Sequence, residues 1–428
     1  MIAEGGENSV NYRIKGGFRS GEVTAPASKS MAHRQLIAAA LSKEKSTIVC
    51  NGISKDISAT AGCLRSLGCR IEEKEGSILE ITPFGGPAKD ICHPDCNESG
   101  STLRFLLPVA CALGLDCIFH MAAGLAARPM EELTAVLTQH GSVIKKAGNE
   151  ISSHGKLLPG EYLIPGNISS QYVSGLLFAL PLLDGESTLE VTGGTESRDY
   201  IIMTENVLKQ SGIHFEKEDE NKYIIPGNQC YHMKETAVVE ADWSNAAFFL
   251  CMGALSKKGI TVKGLPGDSL QGDMQILNIL RDFGAEIDIS GNDVTVRRGS
   301  LNGIIMDASA VPDLVPAVSA LASGVGGTTK IVNAGRLRLK ESDRLRTTSE
   351  MLKSLGADIK EERDGLTICG KQSLSGGTAD AANDHRIAMA AAVAACLSEG
   401  GVCVNGAECV EKSYPEFWKH LETLEVIE

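Results

Sequence analysis

The sequence predicts an α/β protein of two domains, each made of three repeated βαβαββ-type units with buried parallel helices, arranged as an inside-out α/β barrel. Two periodic markers predict this architecture. Polar helix starts lie at residues 30, 101, 170, 244, 313 and 384, and glycines that end a second class of helix lie at 68, 141, 212, 284 and 356. Both markers recur every 70 or so residues, which is typical of repeated structural units. At 428 residues the chain also exceeds the roughly 250–300 residues that one core usually supports.

The first class of segment opens with small polar or charged residues and continues as an apolar helix. Its six members begin at Ser28-Lys29-Ser30, Ser101-Thr102-Leu103, Ser170-Gln171-Tyr172, Ser244-Asn245-Ala246, Asp313-Leu314 and Asp384-His385-Arg386. A helix that is apolar nearly all round is typically buried. The longest apolar run, Ile387–Leu397, is shorter than the roughly 20 residues that a membrane helix needs, so we expect no membrane partner.

The second class of helix is amphipathic, as in Leu270–Phe283, and ends at a glycine followed by short strands such as Arg70–Glu73 and Ser77–Ile81. Glycine is common just after a helix because it adopts the left-handed conformation without a Cβ penalty. One unit cannot bury its own inner helix, but three packed units can. The natural division into two sets of three units falls near Ala241.

Composition and charge exclude several classes of function. The net charge is −13 and aromatic residues make up 4%, so we expect no nucleic-acid partner. Met1–Val10 has no basic region followed by an apolar stretch, and we therefore expect no signal peptide. The thirteen cysteines are scattered, and the closest pair, Cys92 and Cys96, has no second ligand pair nearby. This pattern favours buried thiols in a reducing cytoplasm and no metal site.

The starts of the inner helices are candidate anion sites, because helix N-termini carry free N–H groups and a partial positive charge. If the inner helices are parallel, their starts converge on one face, and two such faces across a cleft would bind an anion. Basic residues at the starts or in neighbouring loops are Lys29, Arg34, Arg104, Arg128, Arg198, Lys340, Arg344, Arg386 and Lys412.

Two charged clusters are the most specific. Ser30 and Arg34 lie four residues apart, as do Lys340 and Arg344, so each pair is predicted to share a helical face. Glu341 is flanked by cations and could be tuned for proton transfer. The alternatives for these clusters are capped helix starts with solvated charges.

Hydroxyl, amide and acidic side chains open other helices. Ser169, Ser170 and Gln171 suit phosphate or sugar oxygens, and Ser197 to Tyr200 offer a similar set. Asp313 opens an apolar helix. Ordinary capping and turn chemistry is the alternative for all of these residues. The chain has no motif for a serine nucleophile, a zinc protease or dinucleotide binding.

Six motifs in order resemble the 5-enolpyruvylshikimate-3-phosphate synthase family, over about Pro26 to Trp418. They are Pro-Ala-Ser-Lys29-Ser…Arg34, Gly-Ser-Thr-Leu-Arg104, Ala-Arg128-Pro-Met, Ser-Ser-Gln171, Lys340-Glu-Ser-Asp-Arg344 and Asp-His-Arg386. The resemblance implies a crossing first strand, so that residues 1–20 and 241–428 form one domain and residues 21–240 the other. It also implies that the domains close over shikimate 3-phosphate and phosphoenolpyruvate.

The resemblance further implies the site residues. Those for shikimate 3-phosphate are Lys29, Ser30, Arg34, Ser169, Ser170, Gln171, Ser197, Tyr200, Asp313 and Lys340. Those for phosphoenolpyruvate are Lys29, Gly100, Arg104, Arg128, Gln171, Arg344, Arg386 and Lys412. The catalytic residues would be Asp313, Glu341 and Lys29, with Asp313 accepting the proton of the 5-hydroxyl and Glu341 serving the methylene carbon. We expect no cofactor and no metal, and a cytoplasmic monomer.

Four positions depart from the family pattern: Glu98, Ser101, Phe105 and Arg336. Glu98 puts a carboxylate near the predicted phosphoenolpyruvate pocket, and Arg336 stands where the family often has a shikimate-binding Asn, so Arg336 is left out of the site.

Two other functions remain open. UDP-N-acetylglucosamine enolpyruvyl transferases share the repeat but carry a loop cysteine, whereas Met121–Pro129 has none. A non-enzymatic anion-binding relative would keep the scaffold, although both proton-transfer candidates are present here.

Overall fold

The computed structural model of the protein describes residues 10–194 and 197–427. Most of Met1–Val10, on which the predicted absence of a signal peptide rests, lies outside these residues. The chain divides into two compact units: unit 1 comprises Met1–Pro26 and Ala241–Glu428, and unit 2 comprises Ala27–Glu240. Unit 2 thus starts at residue 27 and not at 21, because the strand Phe18–Thr24 pairs in parallel with Ile260–Lys263 of unit 1.

Unit 2 contains three open sheets, with the strand orders β13-β3-β5-β4, β6-β8-β7 and β11-β12-β10-β9. Its helices are α1 Lys29–Leu41, α2 Lys55–Leu67, α3 Gly100–Ala112, α4 Ala123–Ala126, α5 Glu131–Gln139, α6 Ser170–Ala179 and α7 Arg198–Gln210. Its strands are β3 Ser46–Val49, β4 Arg70–Lys74, β5 Ile78–Thr82, β6 Cys117–His120, β7 Val143–Ala147, β8 Glu150–His154, β9 Glu161–Pro165, β10 Ser187–Thr192, β11 Glu216–Lys217, β12 Lys222–Ile225 and β13 Thr236–Val238.

Unit 1 also contains three open sheets, with the orders β1-β22-β21, β15-β16-β14-β2-β23 and β17-β18-β20-β19. Its helices are α8 Trp243–Leu255, α9 Ile276–Phe283, α10 Val315–Ala322, α11 Arg344–Ser354, α12 His385–Ala395 and α13 Phe417–Thr423. Its strands are β1 Tyr12–Ile14, β2 Phe18–Thr24, β14 Ile260–Lys263, β15 Glu286–Ser290, β16 Asp293–Arg297, β17 Ile305–Asp307, β18 Thr328–Val332, β19 Asp358–Glu362, β20 Gly365–Cys369, β21 Gly377–Asp380, β22 Val402–Asn405 and β23 Glu425–Ile427.

The predicted mixed α/β class is confirmed, but the sheets of the described residues do not close into the predicted barrel. A barrel requires the last strand of a sheet to pair with the first. Each of the six sheets in the described residues has three to five strands and two edges. The sheets instead cover helices, and each unit has its own apolar core.

The predicted inner helices α1, α3, α6, α8, α10 and α12 form these cores. Every residue of α8 and α12 is buried. At five of the six starts a side chain accepts a hydrogen bond from one of the free N–H groups, as expected for capped helices; the caps are Ser28, Ser99, Ser169, Asp242 and Asp384. In the part of the chain that the structure describes, no helix is long and apolar enough to span a membrane. None of the thirteen cysteines, all of which are described, forms a disulfide, and ten are buried.

The five periodic glycines end α2, α5, α7, α9 and α11 as predicted, and each has a positive φ, between 75° and 124°. The helix predicted over Leu270–Phe283 is shorter, because α9 begins at Ile276 after a 3-10 turn. Gln271 explains the difference: its side chain accepts a hydrogen bond from Trp243 N and donates one to Ala241 O. The segment before Ile276 is therefore anchored to the start of α8.

Gly175 determines how closely α6 approaches α3. A Cβ at this position would lie 2.2 Å from the backbone oxygen of Arg104 and 3.1 Å from Cγ of Pro108. We expect Gly175→Ala to lower the free energy of unfolding by about 1–3 kcal/mol, because the two helices would have to separate.

Gly62 in α2 provides a matched control, because it is helical and exposed, and a Cβ added there would meet no atom within 4 Å. Gly62→Ala should raise stability by about 0.5–1 kcal/mol through the better helix propensity of alanine. Urea unfolding measures both variants, and equal effects of the two substitutions would contradict the close approach.

Candidate functional site

In unit 2 the start of α1 presents a lysine held by a buried acid. Ser28 caps the helix and accepts from Met31 N at 3.4 Å. Lys29 Nζ lies 3.0 Å from Oδ2 of Asp56, in the first turn of α2, and both side chains are largely buried. The ion pair limits the rotamers of Lys29 and so fixes the position of its charge, and Ser30 follows it at the helix tip.

Arg34 lies on α1 with Ser30, as predicted, but it is 2% exposed and faces the protein. Its Nε donates to Oγ1 of Thr204 at 2.8 Å, Nη1 to the backbone oxygen of Ser30 at 2.6 Å, and Nη2 to that of Tyr200 at 2.7 Å. Its Cζ sits 5.1 Å from the ring centre of Phe105. Because these acceptors are neutral, burial lowers the pKa of Arg34 to about 10. Arg34 therefore joins α1 to the start of α7.

Four residues predicted to bind phosphoenolpyruvate lie close together: Gly100 and Arg104 of α3, Arg128 in the turn after α4, and Gln171 of α6. Arg104 Nη1 donates to Oε1 of Gln171 at 2.7 Å, and Nη2 donates to the backbone oxygen of Pro129 at 3.1 Å. A Cβ on Gly100 would lie 3.2 Å from Nη1 of Arg128 and 3.5 Å from Nη1 of Arg104. Glycine at this position lets both guanidinium groups approach the N-terminus of α3. This arrangement suits a compact anion.

The predicted hydroxyl residues lie at two other helix starts. Ser169 caps α6 by accepting from Gln171 N at 3.2 Å, and Ser170 is the first helical residue. Ser197 precedes α7 with a left-handed φ of 50°, and its backbone oxygen accepts from Tyr200 N. Gln171 Nε2 also donates to Oγ of Ser101 at 2.8 Å, so α3 and α6 are linked at their first turns.

In unit 1, Asp313 is the acceptor for three cations. Its Oδ1 lies 2.9 Å from Nη1 of Arg344 and 3.4 Å from Nζ of Lys340, and its Oδ2 lies 3.0 Å from Nη2 of Arg386. Burial alone would raise the pKa of Asp313, but the three cations hold it well below its usual range. Burial also lowers the pKa of Lys340, against the attraction of Asp313. Asp313 is thus ionised at neutral pH.

Arg344 is the most enclosed of these cations, at 1% exposure. Its Nε donates to Oδ2 of Asp384 at 2.8 Å, and Nη2 donates to Glu341 Oε2 at 2.5 Å and to Asp384 Oδ1 at 3.2 Å. Together with Asp313, these carboxylates raise the pKa of Arg344 despite its burial. Four of its five N–H groups are used in these bonds, which leaves one on Nη1 for a further acceptor.

The predicted shared helical face of Lys340 and Arg344 is wrong. α11 begins only at Arg344, and Lys340 has an extended backbone after a 3-10 turn. The two cations still converge, because both contact Asp313. Lys412, which was predicted to lie in a loop near a helix start, is the last residue of the 3-10 turn Ala407–Lys412 and is buried.

Several partners of these residues were absent from the predicted site. They are Asp56, Thr204 and Asp384, which hold Lys29, Arg34 and Arg344. Asp384 had a detectable pattern, an acid directly before an apolar helix and next to His385 and Arg386. Asp56 and Thr204 had none, because each meets its partner across a long stretch of chain.

The unit 1 cluster can therefore supply anion binding and proton transfer together. Lys340, Arg344 and Arg386 are balanced by Asp313, Glu341 and Asp384, so an anionic ligand would compete with carboxylates for donors. A carboxylate released from an arginine becomes a proton acceptor, which links binding to proton transfer.

Comparison with known proteins identifies the family. A family model described as EPSP synthase (3-phosphoshikimate 1-carboxyvinyltransferase) matches residues 15–421. The 3-phosphoshikimate 1-carboxyvinyltransferase of Clostridium kluyveri is 42% identical over 408 residues, covering 94% of this chain and 95% of that protein. The enzyme of the same name from Clostridium acetobutylicum is 43% identical over 410 residues, with the same coverage.

Solved structures show the same fold. EPSP synthase from Acinetobacter baumannii matches with a TM-score of 0.81 and 26% identity, over 98% of this chain and 100% of that chain. The enolpyruvyl transferase NikO from Streptomyces tendae matches with a TM-score of 0.78 over 98% of each chain, and its 16% identity supports the fold alone.

The ionised state of Asp313 predicts a pH dependence of stability. Because its folded pKa lies below the roughly 3.9 of an unfolded aspartate, its charge stabilises the fold above that pH, and this contribution is lost as the pH falls through the folded pKa. We expect wild type to exceed Asp313→Asn in free energy of unfolding at about pH 6, and the difference to shrink below about pH 4.

Urea unfolding over this pH range measures the difference. The control is Asp282→Asn on the exposed face of α9, which should change stability by no more than about 0.5 kcal/mol. A difference between wild type and Asp313→Asn that does not vary with pH would contradict the assignment.

Proposed function

The chain belongs to the EPSP synthase (3-phosphoshikimate 1-carboxyvinyltransferase) family, and from this premise we propose which of its residues perform the reaction. The chain transfers the enolpyruvyl group of phosphoenolpyruvate to the 5-hydroxyl of shikimate 3-phosphate and releases phosphate. This transferase step belongs to the shikimate pathway, which leads to chorismate and the aromatic amino acids. One observation carries the residue assignment: a single guanidinium, that of Arg344, binds both predicted proton-transfer carboxylates, Asp313 and Glu341.

The architecture we propose is six copies of one helix–strand unit, three in each compact unit. The support is the spacing of buried helix starts and of the positive-φ glycines that end α2, α5, α7, α9 and α11. Each copy then contributes one helix start whose side chains can be adapted separately. A monomeric state and a cytoplasmic location remain predictions.

In unit 2 we assign shikimate 3-phosphate to the hydroxyl-bearing helix starts. Hydroxyl, amide and ammonium groups match a phosphate and a ring with several hydroxyls. The assigned residues are Lys29, Ser30, Arg34, Ser169, Ser170, Gln171, Ser197 and Tyr200. Arg34 acts here through its bonds to the backbone of Ser30 and Tyr200, so its role is to position these two residues.

Phosphoenolpyruvate carries a carboxylate and a phosphate, and arginine forks match both groups. In unit 2 we assign it to Lys29, Gly100, Arg104, Arg128 and Gln171, of which the last four are already adjacent around the start of α3. In unit 1 we assign it to Arg344, Arg386 and Lys412. Lys340, with Asp313, is assigned to shikimate 3-phosphate.

The proposed reaction has two stages. The 5-hydroxyl oxygen attacks C2 of phosphoenolpyruvate while Asp313 accepts the hydroxyl proton and the methylene carbon C3 gains a proton from Glu341 or Lys29. The tetrahedral adduct then loses phosphate from C2, which takes up the proton held by Asp313, and a proton from C3 returns to the group that donated it, so that the double bond is regenerated. Cations near C2 and the phosphate stabilise the charge that develops. Two groups that exchange protons account for both stages.

The substrate assignment predicts phosphate release with phosphoenolpyruvate and shikimate 3-phosphate, and none above background when UDP-N-acetylglucosamine replaces the latter. A coupled phosphate assay measures both mixtures. Release with only the nucleotide sugar would favour the sister transferase. Tight binding of both substrates without turnover would favour a non-enzymatic relative.

Glu341→Gln should lower kcat by about 10²–10⁴-fold with little change in either KM, because the amide keeps an oxygen for Arg344 but cannot transfer a proton. Phosphate release measures both constants. Glu350→Gln, on the exposed face of α11, is the matched control and should behave as wild type. A near-normal kcat for Glu341→Gln would remove Glu341 from the proton-transfer step.

A further inference from the structure

The first turn of α8 has no role in the proposed reaction, although it opens an inner helix as the other site segments do. It carries Ser244 and Asn245 after the cap Asp242, and no cation. We infer that this turn is a positioning element: Ser244 orients Arg386, and Asn245 holds the segment that carries Lys412. The inference rests on the proposed function, because it takes both cations to bind phosphoenolpyruvate.

Ser244 has a defined hydrogen-bond direction. Its hydroxyl donates to Oδ1 of Asp242 at 2.7 Å, and its oxygen accepts from Nη2 of Arg386 at 2.9 Å. A serine has one hydroxyl proton, and here it is donated to the carboxylate oxygen of Asp242. The Ser244 oxygen is therefore left with its lone pairs for the guanidinium. All three side chains are buried, so these bonds are not exchanged with water.

Arg386 has a second anchor in Asp313. Its Nη2 donates to Oδ2 of Asp313 at 3.0 Å, and its Nη1 donates to the backbone oxygen of the same residue at 3.2 Å. Ser244 and Asp313 thus hold the guanidinium through different contacts. If the hydroxyl is removed, its hold on Nη2 is lost while that of Asp313 remains, and the guanidinium is drawn toward the proposed proton acceptor and away from its phosphoenolpyruvate-binding position.

Asn245 makes a paired contact with Ser413, the residue after Lys412. Its Oδ1 accepts from Oγ of Ser413 at 3.2 Å, and its Nδ2 donates to the backbone oxygen of Ser413 at 3.4 Å. The backbone N–H of Asn245 donates to Oδ1 of Asp242 at 2.8 Å. One buried carboxylate, that of Asp242, therefore orients both Ser244 and Asn245.

Ser244 is not needed to start the helix, since Asp242 already caps it. A buried hydroxyl in an apolar helix is unfavourable unless it forms hydrogen bonds. Ser319 in α10 is the comparison within this unit: it is fully buried, and its Oγ has no hydrogen-bond partner among the described residues. Ser244 differs in bridging an acid to an active-site cation.

The test compares Ser244→Ala with Ser244→Thr and the control Ser319→Ala, using phosphate release with both substrates varied. We expect Ser244→Ala to raise KM for phosphoenolpyruvate about tenfold, the order of one hydrogen bond to a charged group. KM for shikimate 3-phosphate and the melting temperature should match those of Ser319→Ala. Ser244→Thr keeps the hydroxyl and should restore KM.

The effect must act through Arg386. In an Arg386→Ala background, which itself should raise KM for phosphoenolpyruvate, Ser244→Ala should add nothing. An unchanged KM in Ser244→Ala, or an undiminished effect without Arg386, would overturn the role of Ser244.

Ser413→Ala tests the second half without altering α8, and we expect KM for phosphoenolpyruvate to rise about threefold, as for a weaker neutral hydrogen bond. An unchanged KM would overturn the role of Asn245. Absence of turnover in wild type would instead refute the proposed function. Calorimetric titration of phosphoenolpyruvate would then still decide the inference, because the Ser244→Ala protein must bind it more weakly than wild type.

Discussion

The buried guanidinium of Arg344 imposes the arrangement of the unit 1 site. A charge at 1% exposure is strongly unfavourable without counter-charges and a full set of hydrogen bonds. Asp384, Asp313 and Glu341 supply them, and these acids come from the start of α12, the turn before α10 and the residues before α11. The neutralisation of this one cation therefore brings together three segments that are far apart in the sequence. It also places both proposed proton-transfer groups next to Arg344, whose N–H groups a substrate anion can bind in place of these carboxylates.

In unit 2, a buried arginine is compensated by neutral acceptors and not by carboxylates. Arg34 is as enclosed as Arg344, but it donates to one hydroxyl and two backbone oxygens. Burial lowers the pKa of Arg34 to about 10, whereas carboxylates raise that of Arg344. The difference follows from the charge of the acceptors, because a neutral oxygen compensates a buried cation less than a carboxylate does. Arg34 leaves positive charge near the starts of α1 and α7, while unit 1 retains acids for proton transfer.

Much of the fold could be predicted because its rules are local. A glycine past a helix end, a serine or aspartate at a helix start and an all-apolar helix each have a physical consequence within a few residues. The positive φ of the five periodic glycines and the capping by Ser28 follow from such rules. Sheet closure could not be predicted, because strand partners far apart in the chain decide it. Residues Gly272–Gln275, predicted to be α-helical, instead form a 3-10 turn, because Gln271 contacts the start of α8, which is distant in sequence.

The sequence by itself determined the mixed α/β class, the spacing and identity of the residues at each helix start and, through its motifs, the family. Only the tertiary structure decided what those residues contact. Lys340 and Arg344 meet at Asp313 although they share no helical face, and Arg34 turns inward to Thr204. The physical reason is the range of the interactions. Helix capping and backbone conformation act within about one turn, whereas the partner of a buried charge is whichever opposite or polar group packing brings within about 3 Å.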